Sequence, residues 1–396
     1  MSATREQRAE GADEATSDRA AVSGCVRDGT GFEGLVSWGA STARMFSRAE
    51  AYTRAMSTGP PRSPYIVSRA YDCAFFLAPP ALALALGVAL ARMSLASQPR
   101  ALGGQRLSLQ ELALGTLVHA HLVAVFLRSH GNPAVFRRHR ARFLLAPLVL
   151  FTAIVSSPTF AIAALVVATF WDVYHSGAQT FGLARIYDRN AGNDLRAGRW
   201  LDFGLQQVLY AGPVLAGATT LDHFEPFLRF EAVGLDRLAR VPSAIDSVHR
   251  AMALVLLGLG ALYLVFYVAS YWRLARRGHR ISAPKVFLMV STGACSIVAW
   301  GFNPFAQAFF IMNLFHAVQY LALVWSSEGR RIFSPSRRRV GFVLLASLLG
   351  AYGVLGMLAD NTQQSLGVGL WSVALTISIV HYWYDGFIWS VARNEI

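Results

Sequence analysis

Residues 159–181 read TFAIAALVVATFWDVYHSGAQTF. This stretch decides the fold class. No charged side chain occurs from Thr159 to Trp171, and at about 1.5 Å per residue the segment is long enough to cross a hydrocarbon layer of roughly 30 Å. Its second half carries Asp172, His175 and Gln179 at spacings of three and four residues, which place them on one helical face. A carboxylate and an imidazole are costly in hydrocarbon. Such residues turn toward the interior of a bundle and mark functional positions.

The rest of the chain repeats the pattern. Of 396 residues, 54% are hydrophobic and 15% charged, against about 25% charged in ordinary soluble domains. These figures exclude a soluble globular protein and a mostly disordered chain. Ten apolar segments are expected to span a membrane: 71–91, 107–127, 142–157, 159–181, 200–220, 248–272, 285–302, 305–327, 338–359 and 364–388. Pro158 separates the third from the fourth, which predicts a tight helical hairpin. Residues 1–65 differ: eight Arg balance eight acids and no apolar stretch occurs. That composition predicts a disordered cytoplasmic tail ahead of an all-α membrane domain over 66–396.

The net charge is +13, and Lys285 is the only lysine. The arginines sit between apolar runs, which argues against nucleic acid and for a topological role. Arg137 to Arg140, Arg273 to Arg280 and Arg330 to Arg339 lie in alternate loops. The 221–247 loop instead holds five acids and three Arg. The positive-inside rule then places both termini of the ten spans in the cytoplasm, and the expected location is a bacterial inner membrane. Cys25, Cys73 and Cys295 lie far apart, without the spacing of a thiolate metal site or a disulfide framework.

Ten histidines occur. His139, His223, His249 and His279 fall in or at loops and are expected to be solvated. His121, His175, His316 and His381 fall on four different spans, at or below the midplane toward the cytoplasm in this topology. His119, two residues from His121, points nearly the opposite way and is set aside. Asp172 lies at i,i+3 from His175, and His381 at i,i+4 from Asp385. Gln319 and Tyr320 follow His316 by one turn, and Gln179 follows His175. Asp202, Gln206 and Tyr210 share a face of the fifth span. Imidazoles and carboxylates drawn from several helices suit iron, zinc or manganese.

The local strings WDVYHSGAQ at 171–179, FGLARIY at 181–187, NLFHAVQY at 313–320 and HYWYDGFIW at 381–389 look like segments of polytopic bacterial membrane proteins. In residue type they resemble the sites of histidine-rich integral-membrane iron oxygenases and desaturases, although neither an HxxxH nor an HxxHH box occurs. The resemblance implies a non-haem iron site, mononuclear or dinuclear, and a hydroxylase-, desaturase- or oxygenase-type activity. It also implies a lipid or other apolar substrate near the cytoplasmic face and a soluble electron donor. On this reading His121, His175, His316, His381, Asp172 and Asp385 hold the metal or orient its ligands. Arg128, Gln179, Arg185, Gln319 and Tyr320 flank it, with Arg128, Asn132 and Arg185 able to bind a polar head group. Two other readings stay open: paired histidines could hold haem or bind a quinone, and intramembrane Asp and His could relay protons in a coupled transporter.

Overall fold

Pro158 ends one helix and begins the next, as its place in the sequence implies. Helix α4 (Pro133–Ser156) and helix α5 (Pro158–Asn190) meet at a single residue, Ser157, whose hydroxyl accepts from the Phe160 amide at 3.2 Å. Other helix starts follow equally local rules. Ser108 and Glu111 close a capping box at the head of α3 (Leu109–Ser129), and Asn132 caps α4 through the Ala134 and Val135 amides.

The computed structural model describes residues 63–91, 100–102, 105–361 and 367–389. The expected tail over 1–65 lies almost wholly outside the described residues. The fold is all-α apart from a small antiparallel hairpin, β1 (Arg100–Leu102) with β2 (Gln105–Leu107). Ahead of it come α1 (Arg69–Asp72), prolonged by a π-turn at Cys73–Leu77, and α2 (Pro79–Ala91). After α5 come α6 (Arg199–Ala216) and a connection containing α7 (Thr220–Phe224) and α8 (Asp236–Ala239). Then follow α9 (Val241–Arg276), α10 (Ala283–Phe302) and α11 (Phe305–Val324), a second π-turn at Trp325–Gly329, and α12 (Arg330–Ile332). The last two are α13 (Arg338–Asn361) and α14 (Gly367–Ile388).

Among the described residues seven helices are long and apolar enough to cross a membrane, or eight if α1 and α2, bent by 43°, form one broken span. Nine of the ten segments expected from sequence each fall on one helix and 71–91 covers the bent α1–α2 pair, with 364–366 outside the described residues. The two that miss this measure are α6, which carries Asp202, Gln206 and Gln207, and α14, which carries His381 and Asp385. Helix α5 runs nine residues past the expected 159–181, so that Arg185 and Asp188, beyond the expected span, are helical and buried.

Burial separates inner from outer helices. In the apolar window of α9 no residue is buried, whereas in that of α11 72% are. Helix α11 packs against α2, α3 and α10, and α14 packs against α3, α4, α5 and α13. Thus α3, α5, α11 and α14 enclose one interior. Helices α3 and α13 approach closely because α13 is notched: a Cβ on Gly353 would lie 2.2 Å from the Thr116 carbonyl oxygen.

Two of the four loop histidines depart from expectation. His223 is only 2% exposed, and its ring packs edge-on against Trp300 and Phe305. The His279 side chain is 5% exposed, with Nε2 3.7 Å from Asp188. His139 and His249 are half-buried. The connections fold back over the helix ends and cover them.

Candidate metal centre

Four interior helices each contribute one imidazole, and the four rings meet. Centroids lie 5.1 Å apart for His121–His316, 5.0 Å for His316–His175, 4.8 Å for His175–His381 and 5.0 Å for His381–His121. All four residues are at most 4% exposed. His119, two residues from His121, turns away: its Nδ1 bonds the Gly115 carbonyl and its ring packs on Gly356 of α13. The choice of His121 over His119 therefore follows the helical phase.

The hydrogen bonds fix where lone pairs point. His381 Nδ1 lies 3.1 Å from the Leu122 carbonyl oxygen. A carbonyl only accepts, so Nδ1 carries the proton and Nε2 keeps its lone pair. That Nε2 faces His175 Nε2 at 3.1 Å and Asp385 Oδ2 at 3.7 Å, and the His175–Asp385 separation is 3.8 Å. The circle through three points with these sides has a radius of about 2.1 Å, the length of a metal–imidazole or metal–carboxylate bond. The ligand atoms of His121, His316 and His381 also lie within 4.8 Å of one another. The His121 ring faces the Val118 carbonyl, and among the described residues no side-chain partner is found for its nitrogens or for His316 Nε2. Each neutral ring has one lone pair to offer, and a buried lone pair without a donor is costly unless a cation takes it up.

Asp385 is held from its other oxygen. Tyr320 Oη and Trp389 Nε1 both donate to Oδ1 at 3.0 Å, leaving Oδ2 for the histidines. Gln179 donates to the His316 carbonyl at 3.1 Å and lies 3.4 Å from Gln319, which itself donates to the Phe76 carbonyl at 2.7 Å. These glutamines tie α5, α11 and the first π-turn together around the cluster. Asp172 stands apart from both ligand groups and accepts from Tyr382, whose ring lies 5.0 Å from His175.

Of the two arginines expected at the site, Arg128 stands at its edge and Arg185 belongs to a second cluster. Arg128 donates to Glu328 at 2.8 Å and to the Ile388 carbonyl at 3.0 Å, and lies over Trp389 at 4.2 Å. Its charge acts on Asp385 and Tyr320, and its guanidinium lies on the Trp389 ring that holds Asp385. Asn132 joins the same carboxylate at 3.3 Å. Arg185 joins a second polar cluster, where its guanidinium and the Lys285 ammonium both contact Asp188 and Asp202 at 2.6–2.7 Å. Tyr267 and Tyr271 also donate to Asp202, at 2.9 and 2.7 Å. Burial beside this cluster lowers the His279 pKa against the opposing pull of Asp188.

Glu328, Trp389, Tyr382 and His223 were not singled out in the sequence as parts of the site. Glu328 left a signal: it is the only acid between residues 305 and 339, a stretch that ends in five arginines. A cavity of about 260 Å³ adjoins the cluster at His121 and is walled mainly by apolar side chains. Comparison with protein-family models, curated proteins and solved structures gave no match.

Proposed function

We propose that this chain is an integral-membrane metalloenzyme, an oxidoreductase that uses one non-haem iron ion to transform an apolar substrate. The observation that carries this reading is the triangle of His175 Nε2, His381 Nε2 and Asp385 Oδ2, whose common centre lies at bonding distance from all three. Imidazole with a carboxylate suits iron, and the ion when bound would supply redox or Lewis-acid chemistry. His121 and His316 complete the donor set. His381 commits Nδ1 to Leu122, so it serves one ion and does not bridge two. Tyr320 and Trp389 orient Asp385, and Gln179 with Gln319 fixes the helices that present the rings.

The apolar cavity at His121 supports an apolar substrate. The Arg-rich loops support cytoplasmic termini, and a soluble electron donor would arrive from that face. Imidazoles packed edge to face at about 5 Å leave no plane for a porphyrin between them, which disfavours haem. The test is metal analysis and an absorption spectrum of the detergent-purified full chain, with His381→Ala as control. Iron near one per chain, no Soret band and loss of iron in the variant are expected. A Soret band would replace this reading with the haem one. Failure of wild-type protein to retain any loaded metal would leave a proton-relay role for the histidines.

A further inference from the structure

The cavity beside the centre has two chemically different ends. His121 lines it at the cluster, and His223, from the short helix α7, lines it as well. Phe305, Phe309 and Asn313, successive turns of α11, form a wall between them that covers about 12 Å of helix rise. The Phe305 ring lies 5.2 Å from His223, and Asn313 precedes His316 by three residues. The space therefore runs along α11 from the connection after α6 to the four imidazoles.

Its lining tells what it accepts. Among the described residues that wall it there is neither Arg nor Lys, and its one carboxylate, Asp172, would repel an anion, so nothing offers a counter-charge to a carboxylate or phosphate. His223 Nδ1 lies 2.8 Å from the Thr219 carbonyl oxygen and must donate to it. The other nitrogen, Nε2, is then an acceptor in the neutral ring. Burial lowers the His223 pKa despite the nearby Asp222 carboxylate, which keeps the ring neutral at pH 7. A largely apolar pocket with an acceptor at one end and the buried His121 ring at the other is chemically polarised.

We propose that this cavity is the substrate site and that it takes an elongated apolar molecule with an uncharged hydroxyl terminus. The hydroxyl donates to His223 Nε2, and the apolar body lies along α11 with its far part at His121. The assignment of the reacting end rests on the metalloenzyme reading; hydroxyl recognition by His223 does not. By the charge pattern of the loops, His223 lies on the non-cytoplasmic side, so the substrate is admitted from the half opposite the basic loops.

The test uses full-length protein in detergent and a dodecanol carrying a mid-chain photoactivatable diazirine. Labelling is expected on the α11 wall and on Trp371, which also lines the cavity. Unlabelled 1-dodecanol should compete about fivefold better than its methyl ether, the effect of one neutral hydrogen bond, and better than dodecanoate. His223→Phe should erase the difference between alcohol and ether. Ala374→Phe, which fills the cavity, should abolish labelling. Equal competition by alcohol and ether in the wild type would overturn the proposal even if His223→Phe does not fold. So would a preference that survives in His223→Phe. His381→Ala should lose metal while keeping the alcohol preference. A wild-type protein without metal that still prefers the alcohol would sink the metalloenzyme reading and leave this site standing.

Discussion

Replacing Tyr320 by Phe removes one hydroxyl and keeps the ring in its buried place. The hydroxyl donates to Asp385 Oδ1 at 3.0 Å, and Trp389 Nε1 donates to the same atom at the same distance. Loss of Tyr320 therefore leaves Oδ1 with one of two donors and Oδ2 freer to swing from the histidines. A hydrogen bond to a charged acceptor contributes about 1.5–3 kcal/mol, and with one donor retained the lower end applies. That corresponds to roughly tenfold weaker metal binding, within the 10- to 100-fold range found for residues that orient metal ligands. The assay is anaerobic competition for Fe(II) between the purified protein and a chelator of known affinity. Trp389→Phe should cost a similar factor, and the double variant more than the product of the two, because Oδ1 is then bare. His381→Ala, which deletes a ligand common to both groups of donors, should lose the ion altogether. Unchanged affinity in Tyr320→Phe, with loss in His381→Ala, would mean that Asp385 is not a ligand. Unchanged affinity in both would remove the metal from this cluster.

Other outcomes follow from the same geometry. Glu328→Ala leaves Arg128 without its carboxylate and should cost about 3 kcal/mol, the low end for a broken buried pair, because the Ile388 carbonyl and the Trp389 ring remain; the midpoint of unfolding in a mixed-detergent titration measures it. Gly353→Ala forces a Cβ to within 2.2 Å of the Thr116 carbonyl and should destabilise by about 1–3 kcal/mol, whereas Gly350→Ala meets nothing and should be silent; equal midpoints for the two would refute the close α3–α13 contact. His223 has a folded pKa below its unfolded value near 6.5, so its contribution is present above that pH and fades as pH falls through it. The melting temperature should then drop more between pH 7.5 and 5.5 in the wild type than in His223→Asn. A reporter fused after Ile396 should be active only in the cytoplasm, and periplasmic activity would reverse the assigned topology.

The sequence disclosed what depends on one helix at a time. His121, His175, His316 and His381 stood out because each is an isolated imidazole in an apolar run, and their meeting follows from the cost of turning any of them toward lipid. The i,i+4 pair His381–Asp385 and the phase that separates His119 from His121 are likewise local facts. Partners across helices were not legible. Arg128 and Arg185 were placed beside the centre because both lie near it along the chain. Glu328 holds Arg128 at the edge of the centre, whereas Asp188 and Asp202 draw Arg185 away. Asp188 was missed because α5 outruns its apolar segment, and hydropathy does not register a helix that continues on buried ion pairs. His223 and His279 read as loop residues, since nothing in a connection's composition tells whether it folds over a bundle. Asp172 has the spacing of a ligand, yet Tyr382 takes up its carboxylate.

The cluster around Arg185 also bears on how the chain is assembled. It joins two carboxylates, Asp188 and Asp202, to two cations, and three separate helices supply them. Synthesis delivers these charges in order: Arg185 and Asp188 with α5, Asp202 with α6, and Lys285 only with α10. A nascent chain that has inserted as far as α9 therefore holds two acids against one guanidinium. One negative charge stays uncompensated until the sole lysine of the protein arrives. Docking of α10 converts that excess into a neutral group, so the arrival of Lys285 marks the step at which this half of the bundle becomes able to close.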